Sequence, residues 1–286
     1  AINRLQASAD APAAKHQARA ASPMANYARL LGDEWQLTAP GLLGQLYTSW
    51  RWGPGRHSVC AIVDGLGADG KPWRAVNVHY WHPARKETRL LGLSPFDHQM
   101  SEGVVTFAPD GESAEGVFDL FHPNHRRKMG LRWTFLGPDK YHDVLLEATG
   151  PEGLQVMNQW DHVRVTPPVP PRSLAVDGAE PSERIKPLMR LMGARSTVMG
   201  AAGGGVIRAA STVEWLPLAD VIMARVVAPN PGANAAPGEG RHLFDVYVFH
   251  HAGTRTLRCL ALSDLGGVYE GDVAVLSDGA LQLDLT

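Results

Sequence analysis

The stretch Val76–His82 reads VNVHYWH, and a second stretch, Phe244–His250, reads FDVYVFH. Side chains alternate along both with the period of two that a pleated strand imposes. Val76, Val78 and Tyr80 share one face and Asn77, His79 and Trp81 the other. In the second stretch Phe244, Val246 and Val248 are set against Asp245, Tyr247 and Phe249. The aliphatic face reads as core. The other face is aromatic in both versions and reads as the lining of a contact between two barrels, or of a cleft beside it.

The similarity extends along a diagonal. Trp52-Gly53-Pro54 answers Trp215-Leu216-Pro217, ETRLLGL answers TLRCLAL, Glu102-Gly103 answers Glu270-Gly271 and Asp110-Gly111 answers Asp278-Gly279. From His82 onward the copies stand about 168 residues apart, and upstream about 163, a difference absorbed by the loop PNPGANAAPGEG. Turn clusters at Gly65–Lys71, Pro83–Lys86, Pro109–Glu112, Gly137–Lys140 and Gly150–Gly153 cut each unit into short strands, a pattern that predicts an antiparallel meander closing as a barrel. Apolar residues at helical spacing predict a short helix ahead of each unit, in MANYARLLGDEW and SERIKPLMRLMG.

The expected organisation is a disordered segment over 1–26, a first barrel over 27–166, a proline-rich linker over 167–182 and a second unit over 183–286. That second unit stops before any counterpart of three strands in the first, Lys128–Leu136, Lys140–Ala148 and Leu154–Arg164. It is therefore expected to be shorter or incomplete, which leaves room for a homodimer in which a partner strand closes it.

Bulk properties bound the function. The chain has 286 residues, a hydrophobic content of 44%, a net charge of −2 and a pI near 6.7, which give no electrostatic reason to expect nucleic acid or an acidic membrane as partner. No apolar run reaches the length of a membrane span. Cys60 and Cys259 stand in apolar strand-like runs and read as buried free thiols. The Ala-rich start, AINRLQASADAPAAKHQARAASP, lacks an initiator Met and reads as the beginning of a mature exported chain, periplasmic or secreted.

Tyr80-Trp81-His82-Pro83, the strand start at Glu102-Gly103, Arg132-Trp133-Thr134-Phe135 and the closing run Asn158-Gln159-Trp160-Asp161-His162-Val163-Arg164 resemble an uncharacterised family of bacterial lipocalin-like domains. The resemblance spans about 140 residues of the first unit and, more weakly, the second. It implies a calycin-type up-and-down barrel, here in tandem, with an interior chamber and no established activity. In architecture alone, paired barrels also resemble cyclases and hydratases acting on terpenoid or polyketide substrates.

No phosphate loop, GxSxG elbow, HExxH or CxxC occurs, so no cofactor and no metal are expected; His122 and His125, with Asp119, are of metal-ligand type, but HPNH has no third ligand at recognisable spacing. Of 12 histidines, eight lie between His57 and His162, which points to the first barrel. If Gly137–Lys140 and Gly150–Gly153 are four-residue loops, His142 pairs with both Phe135 and Asp161. Leu131, Trp133, Phe135, His142, Val144, Leu146, Met157, Gln159 and Asp161 then share the inward face. That makes His142 and Asp161 the candidate acid–base dyad, with Trp133, Phe135, Val144, Met157, Gln159, His79 and Trp81 as ligand-binding residues. Two functions fit: an exported protein holding a small apolar or aromatic molecule, or a cofactor-independent cyclase, isomerase, lyase or hydrolase using the dyad. A one-residue slip in register would turn the dyad to solvent.

Overall fold

The computed structural model describes residues 22–38, 45–67, 69–94, 99–149, 153–165, 180–200, 206–228, 240–277 and 281–286, with backbone alone for 194–200 and 206–208. Most of the segment expected as 1–26 and of the linker expected as 167–182 lies outside the described residues, as does most of the loop 229–240. The fold is all-β. The first ten strands are β1 (Glu34–Thr38), β2 (Gln45–Trp52), β3 (Ser58–Leu66), β4 (Pro72–His82), β5 (Glu87–Leu93), β6 (Met100–Phe107), β7 (Ser113–His122), β8 (His125–Phe135), β9 (Lys140–Ala148) and β10 (Leu154–Val165). Each pairs antiparallel with its neighbour, and β1 pairs with β10, which closes the ring. Closure leaves no wholly unpaired edge strand, although the short β1 covers only Asp161–Val165 of β10.

The predicted first helix is a short 3-10 helix, Ala25–Leu30, which plugs one end of the barrel. Met24, Tyr27 and Leu30 are fully buried, so the ordered chain begins ahead of the expected boundary at residue 27. Arg164 of β10 holds the plug. Its guanidinium lies 4.4 Å over the Trp35 ring, pairs with Asp33 at 2.7 Å and donates to the Arg29 carbonyl at 2.7 Å. From the other side, Trp35 Nε1 donates to the Leu30 carbonyl at 2.8 Å.

The second unit comprises β11 (Gly193–Gly200), β12 (Val206–Leu216), β13 (Val221–Ala228), β14 (Arg241–His251), β15 (Thr256–Ser263), β16 (Val268–Val275) and β17 (Leu281–Leu285). They form an open seven-stranded sheet in sequence order, not a second barrel, with β11 and β17 as its edges among the described residues. The predicted helix ahead of it is the 3-10 helix Lys186–Leu191, whose Leu188 packs with Ile185 on Ile222, Val248 and Ala261.

The two faces of VNVHYWH exchange the roles expected of them. Asn77 and His79 face the barrel interior, and Trp81 packs against its core. Val76, Val78 and Tyr80 instead face outward and are buried against Tyr247, Phe249, Leu260 and Leu262 of the second sheet. Alternation fixes which residues share a face but not which face is the inside; here both faces are covered, so hydrophobicity alone did not separate them. The contact between units is reciprocal: Tyr80 Oη donates to Glu270, while Glu102 approaches His251 Nε2 at 3.6 Å. Cys60 and Cys259 are buried free thiols.

Candidate functional site

Three strands decide where the polar groups point. β8 carries Leu131, Trp133 and Phe135 inward, as expected. The β8–β9 loop is one residue shorter than the sequence suggested. Leu136 N–H donates to the Lys140 carbonyl at 2.9 Å, and Gly137 takes φ +130°, so Phe135 pairs with Tyr141 and Trp133 with Asp143. Tyr141, Asp143 and Leu145 therefore point inward, and His142 and Val144 point outward.

The expected match of His142 with Asp161 does occur, for a reason the sequence did not show. The β9–β10 hairpin closes one residue early, at Ala148 and Leu154, and a bulge at Met157 restores the register. His142 Nδ1 lies 2.8 Å from Asp161 Oδ1, but on the outer wall, where Lys140 Nζ also reaches Asp161 at 2.7 Å. Lys140 is the chief reason the Asp161 carboxyl is held below the usual carboxylate range. A dyad there does not reach a molecule inside the barrel. Val144 and Gln159 share that outward face, and Met157 sits exposed at the bulge. Of the expected ligand-binding residues, His79 and Trp133 line the interior cavity. Phe135 packs against Phe107 and Tyr141 beside the plug, and Trp81 packs on the same core.

The cavity measures about 350 Å³. It runs from His79 and Trp133, above the plug, toward Leu37, Leu46 and Trp73 at the far end of the barrel. Aromatic rings make up much of its wall. Trp133 meets His79 at 5.5 Å and Trp50 at 6.0 Å between ring centroids, and Tyr141 stacks on His162 at 4.0 Å, nearly parallel. Edge-to-face and stacked contacts of this kind fix the ring orientations that a ligand would meet.

Two polar clusters interrupt the apolar wall. Near the plug, His79 Nδ1 and the Tyr27 hydroxyl share a 3.0 Å hydrogen bond, and burial pushes the imidazole down to about 3, so it is neutral. Farther along, Asp143 stands between two tryptophans, paired across the sheet with Trp133 on β8 and Trp160 on β10. Trp160 Nε1–H donates to His162 Nε2 at 2.9 Å. Indole nitrogen only donates, so that imidazole nitrogen accepts and cannot also donate to Asp143, whose Oδ2 lies 3.6 Å away. Burial holds His162 below its ordinary value, with Asp143 opposing. Asp143 Oδ1, His162 Nδ1 and Thr48 Oγ1 are buried without a hydrogen-bond partner, and all three residues line the cavity. Sequence reasoning missed Asp143, His162 and Trp160. The three-residue turn Gly137-Pro138-Asp139 was the signal that could have found them.

Fold and site together define an all-β protein with a closed ten-stranded antiparallel barrel around an aromatic cavity that carries a few buried polar groups. No protein-family model matches the chain, and no curated protein matches it. Among solved structures it matches a β-barrel-like protein of a domain of unknown function, DUF1849, from Brucella abortus. The match has 10% identity and covers 89% of this chain and 94% of that chain, with a TM-score of 0.21. At that score the likeness carries no argument, and the description of the barrel rests on its strand pairing. Among the described residues no helix is long and apolar enough to cross a membrane.

Proposed function

We propose that this is a small-molecule-binding protein that holds an apolar or aromatic ligand inside the first barrel. The observation that carries this reading is the cavity of about 350 Å³, walled by indole, phenyl and aliphatic groups and edged by polar atoms without protein partners. Natural interiors are close-packed, and buried polar groups in them are almost always satisfied. A chamber that breaks both rules at one place is built to receive something. The lipocalin-like, calycin-type reading is supported by the form of the chamber, a meander barrel plugged at one end by a 3-10 helix. Duplication is supported by the reciprocal reach of Glu102 and Glu270 into the opposite unit and by the 3-10 helix that precedes each set of strands.

The test is titration of the neutral fluorophore N-phenyl-1-naphthylamine. The wild-type chain is expected to bind one molecule, with enhanced and blue-shifted emission. Leu145→Trp, which fills the chamber from a partly buried wall position, should abolish the signal, and His142→Ala, on the outer wall, should leave it unchanged. Absence of binding by the wild type, or an equal loss in both variants, would refute the reading.

A further inference from the structure

The charge inside the chamber is one-sided. Among the described residues that line it, Asp143 is the sole formally charged side chain, and no Lys or Arg stands opposite it. Its side chain is only 14% exposed, and its nearest potential partner, His162 Nε2, is already engaged as an acceptor by Trp160. A carboxylate taken from water without a cation or donor is costly, and the usual remedy inside a protein is an opposite charge. The flanking groups add a second, independent feature. Trp133 and Trp160 are its direct cross-strand neighbours on the inner face, and Tyr141 lines the same wall one inward position away on β9. Residues so paired have Cβ atoms about 5 Å apart, so an occupant touching the carboxylate also meets indole rings. Aromatic faces attract cations through the ring quadrupole, most strongly when water is excluded.

From these features, and resting on the proposal that the chamber binds a ligand, we infer that the occupant is an organic amine cation. It would place a protonated nitrogen against Asp143, between Trp133 and Trp160, and lay an apolar or aromatic body along the rest of the chamber. The neutral state of His79 and the depressed basicity of His162 leave no protein cation in the chamber to compete for Asp143. A carboxylic acid of the same shape would meet uncompensated like charge.

Three isosteric probes test this by calorimetry at pH 7: naphthalen-1-ylmethylamine, naphthalen-1-ylmethanol and 1-naphthoic acid. The wild-type chain should bind the amine roughly tenfold more tightly than the alcohol, the order expected of one desolvated cation–aromatic and charge contact, and the acid most weakly. Asp143→Asn should bring the amine to within about twofold of the alcohol, and a cooperative urea transition shows that the variant folds. Equal binding of amine and alcohol by the wild type overturns the inference without the variant and leaves chamber binding standing. So does an amine preference that survives in Asp143→Asn. Failure of all three probes to bind overturns both the inference and the chamber reading on which it rests.

Discussion

His79 gives a pH signature that can be worked out in advance. The imidazole is fully buried, its one hydrogen bond is to the Tyr27 hydroxyl, and burial lowers it from an ordinary 6.5 to about 3. Between these values the unfolded chain takes up a proton that the folded chain refuses. The contribution is therefore fully present above pH 6.5 and is lost progressively as pH falls toward 3. Between pH 7 and pH 5 this amounts to about 2 kcal/mol of unfolding free energy, since each bound-proton difference is worth about 1.4 kcal/mol per pH unit. Carboxylates with lowered values, Asp161 and Asp69 among them, respond below this window. Urea unfolding of the wild type and of His79→Gln at both pH values isolates the effect; Gln keeps a polar partner for Tyr27 without titrating. The drop in stability from pH 7 to pH 5 should be about 2 kcal/mol smaller in the variant, whatever its absolute stability. An identical drop in both proteins would mean that His79 protonates within the folded barrel, and the argument from burial would fail.

Arg164→Ala removes the clasp over Trp35 together with the ion pair to Asp33, both largely shielded from solvent, and should cost about 3 kcal/mol in urea unfolding, with Arg164→Lys recovering less than half. Gly55 takes φ +60° at the junction of the units, where a Cβ would stand 2.1 Å from the Asp264 carbonyl oxygen. Gly55→Ala should therefore lower the melting temperature well beyond Gly70→Ala, whose φ is +74° with open space around it; equal shifts would show that the close approach to Asp264 does not hold the units together.

Much of this fold is legible in the residues. The period of two in VNVHYWH, the turn clusters and the matches along one diagonal lead to an antiparallel meander and to a second set of strands. Whether a meander closes is not a local property. It depends on the pairing of Glu34 with Val165, across the whole first unit, and the second set of strands stays open. The candidate residues were read with the wrong facing. A histidine of β9 and an aspartate of β10 were expected on the inner face; Asp143 of β9 and His162 of β10 stand there instead, without a hydrogen bond between them. One residue in the length of the β8–β9 loop separates the two answers, because a strand shifted by one residue exchanges its entire inner and outer faces. The bulge at Met157 then kept His142 opposite Asp161 on the outer wall, so a correct pairing accompanied a wrong facing.

The clasp between Arg164 and Asp33 joins groups 131 residues apart in the chain. A ring closed at that separation carries a high contact order, and its loop-closure entropy must be overcome before the last row of hydrogen bonds forms. The chamber is complete only when the tenth strand is paired with the first, and no shorter piece of the unit contains it. A molecule that binds only the closed ring would slow its opening more than it would speed its assembly.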